Sequence, residues 1–462
     1  MLRCVSFVNR DRELTSLERW WSSPNGSLGL VWGRRRVGKT ALLQRFAQTR
    51  RSVFHAATGR PAAQELQVLS RAAAPALAAG LRDLNTSPFA SWDHAFESLG
   101  AAAESEPLLV VFDEFPELVM GTPELPSLLR ALWDRLRSRT HLKILLSGSA
   151  VRTVQAMQEY RAPLYGRFDL SLPLHPFWPH EAAMLLPALP PADRALVWAL
   201  VGGIPLYLEW WDQQRSVEEN LSELACQPGG KLLTEGLLVL ATEGEMGELG
   251  KRVLYAIANG RTRHNEIAEA VGADPTRTLE RLVDLRLVER LSPVTEDERQ
   301  TRRRIYRIAD NFLAFWLGML DRYRAEIDRG IGDTIVPALV RGLDDFAGPR
   351  WEEAFRMHLR RLAIDGALGE EIVAVGPFWT AGADPGEIDA VVLAGRERRP
   401  VLVGEAKWAQ RVDGARIRRG LERKAEALRD AAPGLRHAVC ARTTVDNAED
   451  VLAVTAADIF DG

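Results

Sequence analysis

Unbroken apolar runs that stop at glycine or at acids recur through the first third of the chain. LGLVWG (28–33) ends in Gly, PLLVVFDEF (107–115) ends in acids, and LKILLSGS (142–149) ends in small polar residues. A strand buried on both faces reads this way, as the strands of a parallel sheet do. SVFHAA (52–57) and a short stretch within PLYGRFDLSLPL (163–174) add two more strands. Helical patterns lie between them: from Lys39 to about Arg50, two Ala/Leu-rich stretches over roughly 61–105, and one at about 123–139. Strands alternating with helices predict an α/β domain with a mostly parallel sheet.

Beyond Pro179 the pattern is helical to about Glu243, broken by GGIP at 202–205. Residues 247–308 change character. KRVLYAIANG, HNEIAEAVGA and DPTRTLERLVDLRLVERL read as three short helices, the last opened by Asp-Pro. RLSPVTEDERQTRRRIYRI then reads as a hairpin, which completes a winged helix-turn-helix. DNFLAFWLGML (310–320) is an apolar linking helix, and from about 346 a further unit begins with helix GPRWEEAFRMHLRRL, several strands, and a basic helix after Gly414. The expected domains are 1–178, an α/β core; 179–245, a helical lid; 246–330, the winged helix-turn-helix with its linker; and 331–462, a second α/β domain. A chain of 462 residues is too long for one ordinary core.

Composition narrows the class. With 46% hydrophobic and 26% charged residues the chain reads as soluble and globular. A net charge of −3 gives no global argument for binding nucleic acid, so any such argument rests on local patches. Cys4, Cys226 and Cys440 are far apart and match no metal spacing, which favours reduced thiols. MLRCVSFVNRDREL has no apolar core of a secretion signal, and no run reaches the ~18 apolar residues that span a bilayer. The expectation is a cytoplasmic protein with no membrane association.

GRRRVGKT, Gly33 to Thr40, matches G-x-x-x-x-G-K-S/T and sits between a predicted strand and a predicted helix. In that context the backbone N–H groups of Gly33, Arg34, Arg35, Arg36, Val37 and Gly38, with the helix start at Ala41, face phosphates. Lys39 reaches the β- and γ-phosphates of ATP and Thr40 ligates Mg²⁺. Asp113 and Glu114 end the next apolar strand. Asp113 fits the Mg²⁺-side acid, and Glu114 fits the base that polarises water. Ser147 and Ser149 are placed either to bond the γ-phosphate or water, or to cap a helix. Arg167, with Arg161 as competitor, is a candidate for stabilising transition-state charge at its own site or a neighbouring subunit's, or for a structural salt bridge.

These segments, with FVNRDREL at 7–14 and GGIPLYL, resemble in content and order the archaeal-type family of P-loop ATPases, which is AAA+/STAND-like, over roughly residues 5–330. The resemblance implies that Phe7, Arg10 and Pro205 lie near the nucleotide. Asn9 stands where the family usually has Gly. It also implies a restriction-endonuclease-like domain of unknown function behind the winged helix.

The stretch EIDAVVLAGRERRPVLVGEAKW (387–408) fits that last expectation. Side chains alternate along a strand, so Glu405 and Lys407 share a face, and a hairpin turn at AGRERRP brings Asp389 to them. Asp389, Glu405 and Lys407 resemble the P-D-(D/E)-x-K phosphodiesterase pattern, although Pro385 precedes Asp389 by four residues. There, two carboxylates hold Mg²⁺ or Mn²⁺, Lys407 positions or activates water, and a helical acid, Glu352 before Glu353, completes the shell. Gly386 and Gly404 leave room for backbone approach. A degenerate fold or a solvated salt-bridged face is the alternative.

Arg261, Arg263, Arg277 and Arg281 on the helix-turn-helix, Arg302, Arg303 and Arg304 on the wing, and the basic face of RIRRGLERKAEALR (416–429) are candidate phosphate contacts or ordinary solvated charges. The sequence thus predicts an ATP- and Mg²⁺-dependent ATPase whose nucleotide state controls a nuclease-like domain acting on nucleic acid, DNA in the first instance. ATP would bridge sheet and lid, and an ATP-dependent homo-oligomer is compatible with this. The alternative is a regulatory or signalling ATPase with an inactive nuclease-like domain.

Overall fold

The computed structural model describes residues 7–77, 83–149, 157, 159–242, 246–369, 371–380 and 386–461; Cys4 and Pro385 lie outside them. The chain divides into two compact units, residues 1–176 and 177–462.

In the first unit the five apolar runs pair as one parallel sheet. β1 (Ser27–Trp32), β2 (Ser52–Ala56), β3 (Leu108–Asp113), β4 (Leu142–Gly148) and β5 (Leu170–Pro173) stand in the order β2-β3-β4-β1-β5. Every residue of β1, β3 and β4 is buried. The reason is cover on both faces by α1 (Asp11–Trp21), α2 (Lys39–Ala47), α3 (Ala62–Ala73), α4 (Trp92–Ala102), α5 (Phe115–Gly121) and α6 (Leu125–Leu136). Leu28, Leu30, Val110, Phe112, Ile144 and Leu146 join Leu69, Phe96, Leu129 and Trp133 in one core. On the opposite face Gly29 of β1 lies against Trp20 of α1. Because the strands are parallel, the segments after β1, β3 and β4 all emerge at one edge of the sheet, where ligands of open α/β sheets bind.

The second unit begins with helices α7 (Pro179–Ala183), α8 (Pro191–Val201), α9 (Pro205–Trp210), α10 (Val217–Ala225) and α11 (Lys231–Thr242). α12 (Gly247–Ala258), α13 (His264–Val271) and α14 (Thr276–Asp284) follow, then the antiparallel pair β6 (Val288–Leu291) and β7 (Ile305–Ile308). This is the element order expected of a winged helix-turn-helix. The third helix is shorter than its apolar pattern suggests: it stops at Asp284, Arg286 turns with φ 57°, and Val288–Leu291 is already strand. α15 (Asn311–Phe315), α16 (Arg324–Asp328) and α17 (Val336–Arg341) lead to α18 (Leu343–Ile364), which carries Pro349 in its interior.

A mixed sheet closes the chain. β8 (Ile372–Trp379), β9 (Glu387–Ala394) and β10 (Arg399–Ala406) form an antiparallel run, β8 with β9 and β9 with β10. β11 (Arg411–Asp413), α19 (Gly414–Ala425), β12 (Arg436–Cys440), β13 (Thr444–Asp446), β14 (Leu452–Val454) and α20 (Ala456–Phe460) follow. The sheet order is β14-β12-β10-β9-β8. Val391, Leu393 and Val403 bury one face against Ile417 and Leu421 of α19. The other face takes α18: a Cβ at Gly404 would stand 2.8 Å from the Phe355 ring, so that glycine serves close helix–sheet contact.

The loop between β6 and β7 meets this sheet directly. Val294, in the loop between β6 and β7, donates its N–H to the Pro377 carbonyl (2.8 Å), and Arg303 Nη1 donates to the Trp379 carbonyl (2.9 Å). The expected wing therefore lies on edge strand β8. Arg304 bonds the carbonyls of Glu298 and Arg299 within its own loop, so Arg303 and Arg304 are engaged internally and Arg302 remains exposed. α20 packs on α7 and α8 through Phe460 and Trp198, whose rings meet edge to face with centroids 6.4 Å apart, and through the Arg194–Asp461 ion pair.

Candidate functional site

The loop Gly33–Thr40 joins β1 to α2 at the carboxyl edge of the first sheet. Gly38 adopts φ 93° at the start of α2, a conformation that a side chain resists. Lys39 is 4% exposed, and its Nζ donates to the carbonyls of Gly33 (3.0 Å) and Arg34 (2.9 Å) and to Ser149 Oγ (2.7 Å). Burial lowers its pKa to about 8, although Glu114 and Asp113 oppose that shift. Phosphates bind the protonated amine. ATP affinity should therefore be level below pH about 8 and weaken as the pH rises through it, by up to about tenfold per unit. Titration of a fluorescent ATP analogue across that range checks this; level affinity to pH ~10 would contradict it.

The acids after β3 converge on the same loop. Thr40 Oγ1 donates to Asp113 Oδ2 at 2.6 Å, and Ser147 Oγ donates to Asp113 Oδ1. Asp113 is buried, and its carboxylate and the Thr40 hydroxyl are hard oxygen donors side by side, a set that fits Mg²⁺. Glu114 sits in the left-handed region (φ 54°), a strained placement for a non-glycine residue that turns its side chain toward β4. Its carboxylate accepts from the Ser149 N–H (3.1 Å) and from the Ser149 hydroxyl. Lys39, Ser149 and Glu114 thus form one continuous chain of hydrogen bonds, with Ser149 at its centre.

Arg10 supports the loop from behind. It is 5% exposed, and its Nη2 donates to the Val37 carbonyl (3.0 Å) and to the His175 carbonyl (2.8 Å), while Nη1 pairs with Glu13. Asn9 and Arg10 both have positive φ (59° and 73°), and Asn enters that region more readily than other side chains do. Asn9 therefore preserves the turn that a glycine would make. Phe7 is half-buried just before α1. Pro205 opens α9 in the second unit.

Arg167 lies elsewhere. It makes a two-pronged pair with Asp134 near the C-terminal end of α6 (2.9 and 2.8 Å), and it precedes β5, whose start is level with the start of β1. That is the edge of the sheet opposite the loop, so the expectation that Arg167 serves its own unit's site is corrected. A neighbouring subunit's site remains open to it. Arg161 is exposed.

A second constellation lies on the closing sheet. Val403 pairs with Val391 and Gly404 with Ala390, so one further step sets Glu405 opposite Asp389 on the face covered by α19. Both are 8% exposed. Asp389 Oδ2 accepts from the Ala406 N–H (2.8 Å). Lys407 Nζ pairs with Glu405 Oε1 (2.7 Å), and Lys424 Nζ of α19 pairs with Oε2 (2.6 Å). Burial raises the Glu405 pKa, but the two ammonium groups outweigh it and hold the carboxyl below its ordinary value. Burial pushes Asp389 up to about 6, and burial with the Asp389 charge pushes Glu352 of α18 up to about 7. Arg356 lies beneath: it donates to the Asp389 carbonyl (2.7 Å) and stands 3.8 Å from Glu352. Glu353 points away from the cluster into an arginine cage of Arg307, Arg356 and Arg360.

The sequence pattern thus brings Asp389, Glu352, Glu405 and Lys407 together. It missed Lys424, Arg356 and the central place of Ser149. Among the described residues no three Asp, Glu, His or Cys side chains are grouped so as to hold a metal ion. Both Glu405 oxygens carry ammonium groups instead, so the expected set of Glu352, Asp389 and Glu405 does not fit a divalent ion as it stands.

The first sheet and its loop define a P-loop ATPase. Residues 7–210 match an ATPase domain found predominantly in Archaea, and residues 316–419 match archaeal and bacterial proteins of unknown function. The chain thus carries an archaeal-type ATPase domain followed by a domain of that second kind. It is 25% identical over 433 residues to an uncharacterized protein of Methanocaldococcus jannaschii, covering 91% of this chain and 92% of that one. A short uncharacterized ATP-binding protein of the same organism is 45% identical over 51 residues, 11% of this chain and 86% of that one. Among solved structures, a Walker-type ATPase of Pyrococcus abyssi shares the fold at TM-score 0.53 and 22% identity, over 67% of this chain and 96% of that one. No described helix is long and apolar enough to cross a membrane.

Proposed function

We propose that the chain hydrolyses ATP at the Gly33–Thr40 loop and that its nucleotide state controls the closing domain, which acts on nucleic acid. The observation that carries this reading is the unbroken hydrogen-bond chain from Lys39 through Ser149 to Glu114, beside the Thr40–Asp113 pair. Lys39 and the loop N–H groups bind the β- and γ-phosphates. Thr40 and Asp113 would hold Mg²⁺, which neutralises phosphate charge when bound. Glu114 takes the proton of the attacking water as its bonds to Ser149 are exchanged for one to that water. Arg167 would reach the site of a second copy in an assembled ATPase.

For the closing domain, the shared face of Asp389, Glu405 and Lys407 favours a nuclease-like role on a phosphodiester. The ammonium groups on both oxygens of Glu405 favour the second reading, a regulatory ATPase whose closing domain binds without cutting. A plasmid-nicking assay with Mg²⁺ and with Mn²⁺ separates them. Metal-dependent nicking that falls at least about 10²-fold in Lys407→Ala supports the first. Intact plasmid with wild-type protein at every metal concentration supports the second.

A further inference from the structure

α19 carries five cations, Arg416, Arg418, Arg419, Arg423 and Lys424, against one acid, Glu422, in a chain of net charge −3. Their placement is not uniform. Ile417, Leu421 and Ala425 are buried against the sheet, and Arg418 is spent on Glu422 and Asp450. Arg416, Arg419 and Arg423 are exposed, spaced i, i+3, i+7 on the outer face, and make no ion pair with a described residue. Nearby acids include Asp413, which caps the helix start, and Glu422, which pairs with Arg418. Gly420 lies within the stripe, and a Cβ there would meet nothing within 4 Å, so the stripe is low and open at its middle. Its far end is Lys424, the residue that grips Glu405 at 2.6 Å.

We infer that the outer stripe of α19 is a track for a phosphodiester backbone that leads to the Asp389–Glu405 face. The inference rests on the reading that the closing domain acts on nucleic acid, and it assigns the contact surface. From Arg416 to Arg423 the helix rises about 10 Å, long enough to follow about three phosphates of a strand that rises ~3.4 Å per nucleotide. Arginine forks suit phosphate oxygens, and nothing on the stripe distinguishes bases, so binding is indifferent to sequence. Lys424 is a positioning residue. It keeps the carboxylate beside the end of the track charged and oriented, and it links the track to the acids. By contrast, α14 mixes its exposed Arg277 with Glu280 and Asp284, and Arg303 and Arg304 are engaged within the molecule.

The test is fluorescence anisotropy with labelled random-sequence duplex DNA, single-stranded DNA and RNA, titrated at several salt concentrations with the full chain. In R416Q/R419Q/R423Q, affinity should fall at least about tenfold, and the slope of log affinity against log salt should shrink by roughly 2 to 3. R416K/R419K/R423K should retain most of the binding, and ATP turnover without nucleic acid should be unchanged in both. The arm that loses most identifies the polymer. Unchanged affinity and slope in the Gln variant, or no binding by wild-type protein to any of the three, overturns the track. Loss of binding in the Gln variant with no nicking by wild type keeps the track and removes the nuclease reading. Nicking that is lost in Lys407→Ala but intact in the Gln variant does the reverse.

Discussion

ATP turnover is expected to fall by about 10²–10³-fold when Lys39 is replaced by alanine, read as phosphate release at saturating ATP. Three features make this effect large. Lys39 is the loop's one buried cation, 4% exposed, so its charge acts through little solvent. It already touches the carbonyls of Gly33 and Arg34, which fixes its head within the loop's curve. It also donates to Ser149, so the substitution cuts the chain of hydrogen bonds that reaches Glu114. ATP binding should weaken in parallel, because the amine is one of the groups that meet the phosphates. Turnover within a few-fold of wild type would remove the loop from the chemistry.

Glu114→Gln is the second, with a different signature. The amide keeps the size of the carboxylate and its capacity to accept from Ser149, so ATP should still bind. It cannot accept the proton of the attacking water, so hydrolysis should drop by about 10²–10⁴-fold. A nucleotide that copurifies or filters with the variant as intact ATP is the expected observation. ADP in that fraction, at wild-type rates of formation, would show that Glu114 is not the base and that its left-handed backbone serves only the turn.

The first sheet was legible because β1, β3 and β4 are buried at every position, which leaves an unbroken apolar run in the sequence. The loop was legible because its chemistry is confined to eight consecutive residues. The hairpin around Asp389 was legible because strand alternation fixes which residues share a face. What escaped depends on contacts between distant segments. Lys424 meets Glu405 from a helix nineteen positions along the chain, and no periodicity announces that meeting. Arg10 enters the sequence reading only through the family resemblance, as a residue near the nucleotide, yet its guanidinium holds the carbonyl of Val37. Arg167 follows a glycine in a loop, and only the parallel register of β5 with β1 reveals that it lies at the far edge. Arg303 looked like a free wing cation, but the loop that carries it lies on β8.

The coupling between nucleotide and closing domain is tested most directly by one comparison. Nucleic-acid affinity is measured for Glu114→Gln protein saturated with ATP and again saturated with ADP, at fixed salt. The account predicts affinities that differ by about 5-fold to 150-fold, the usual span of a coupling free energy between two sites. Equal affinities in the two nucleotide states, with ATP verified intact on the protein, would contradict it.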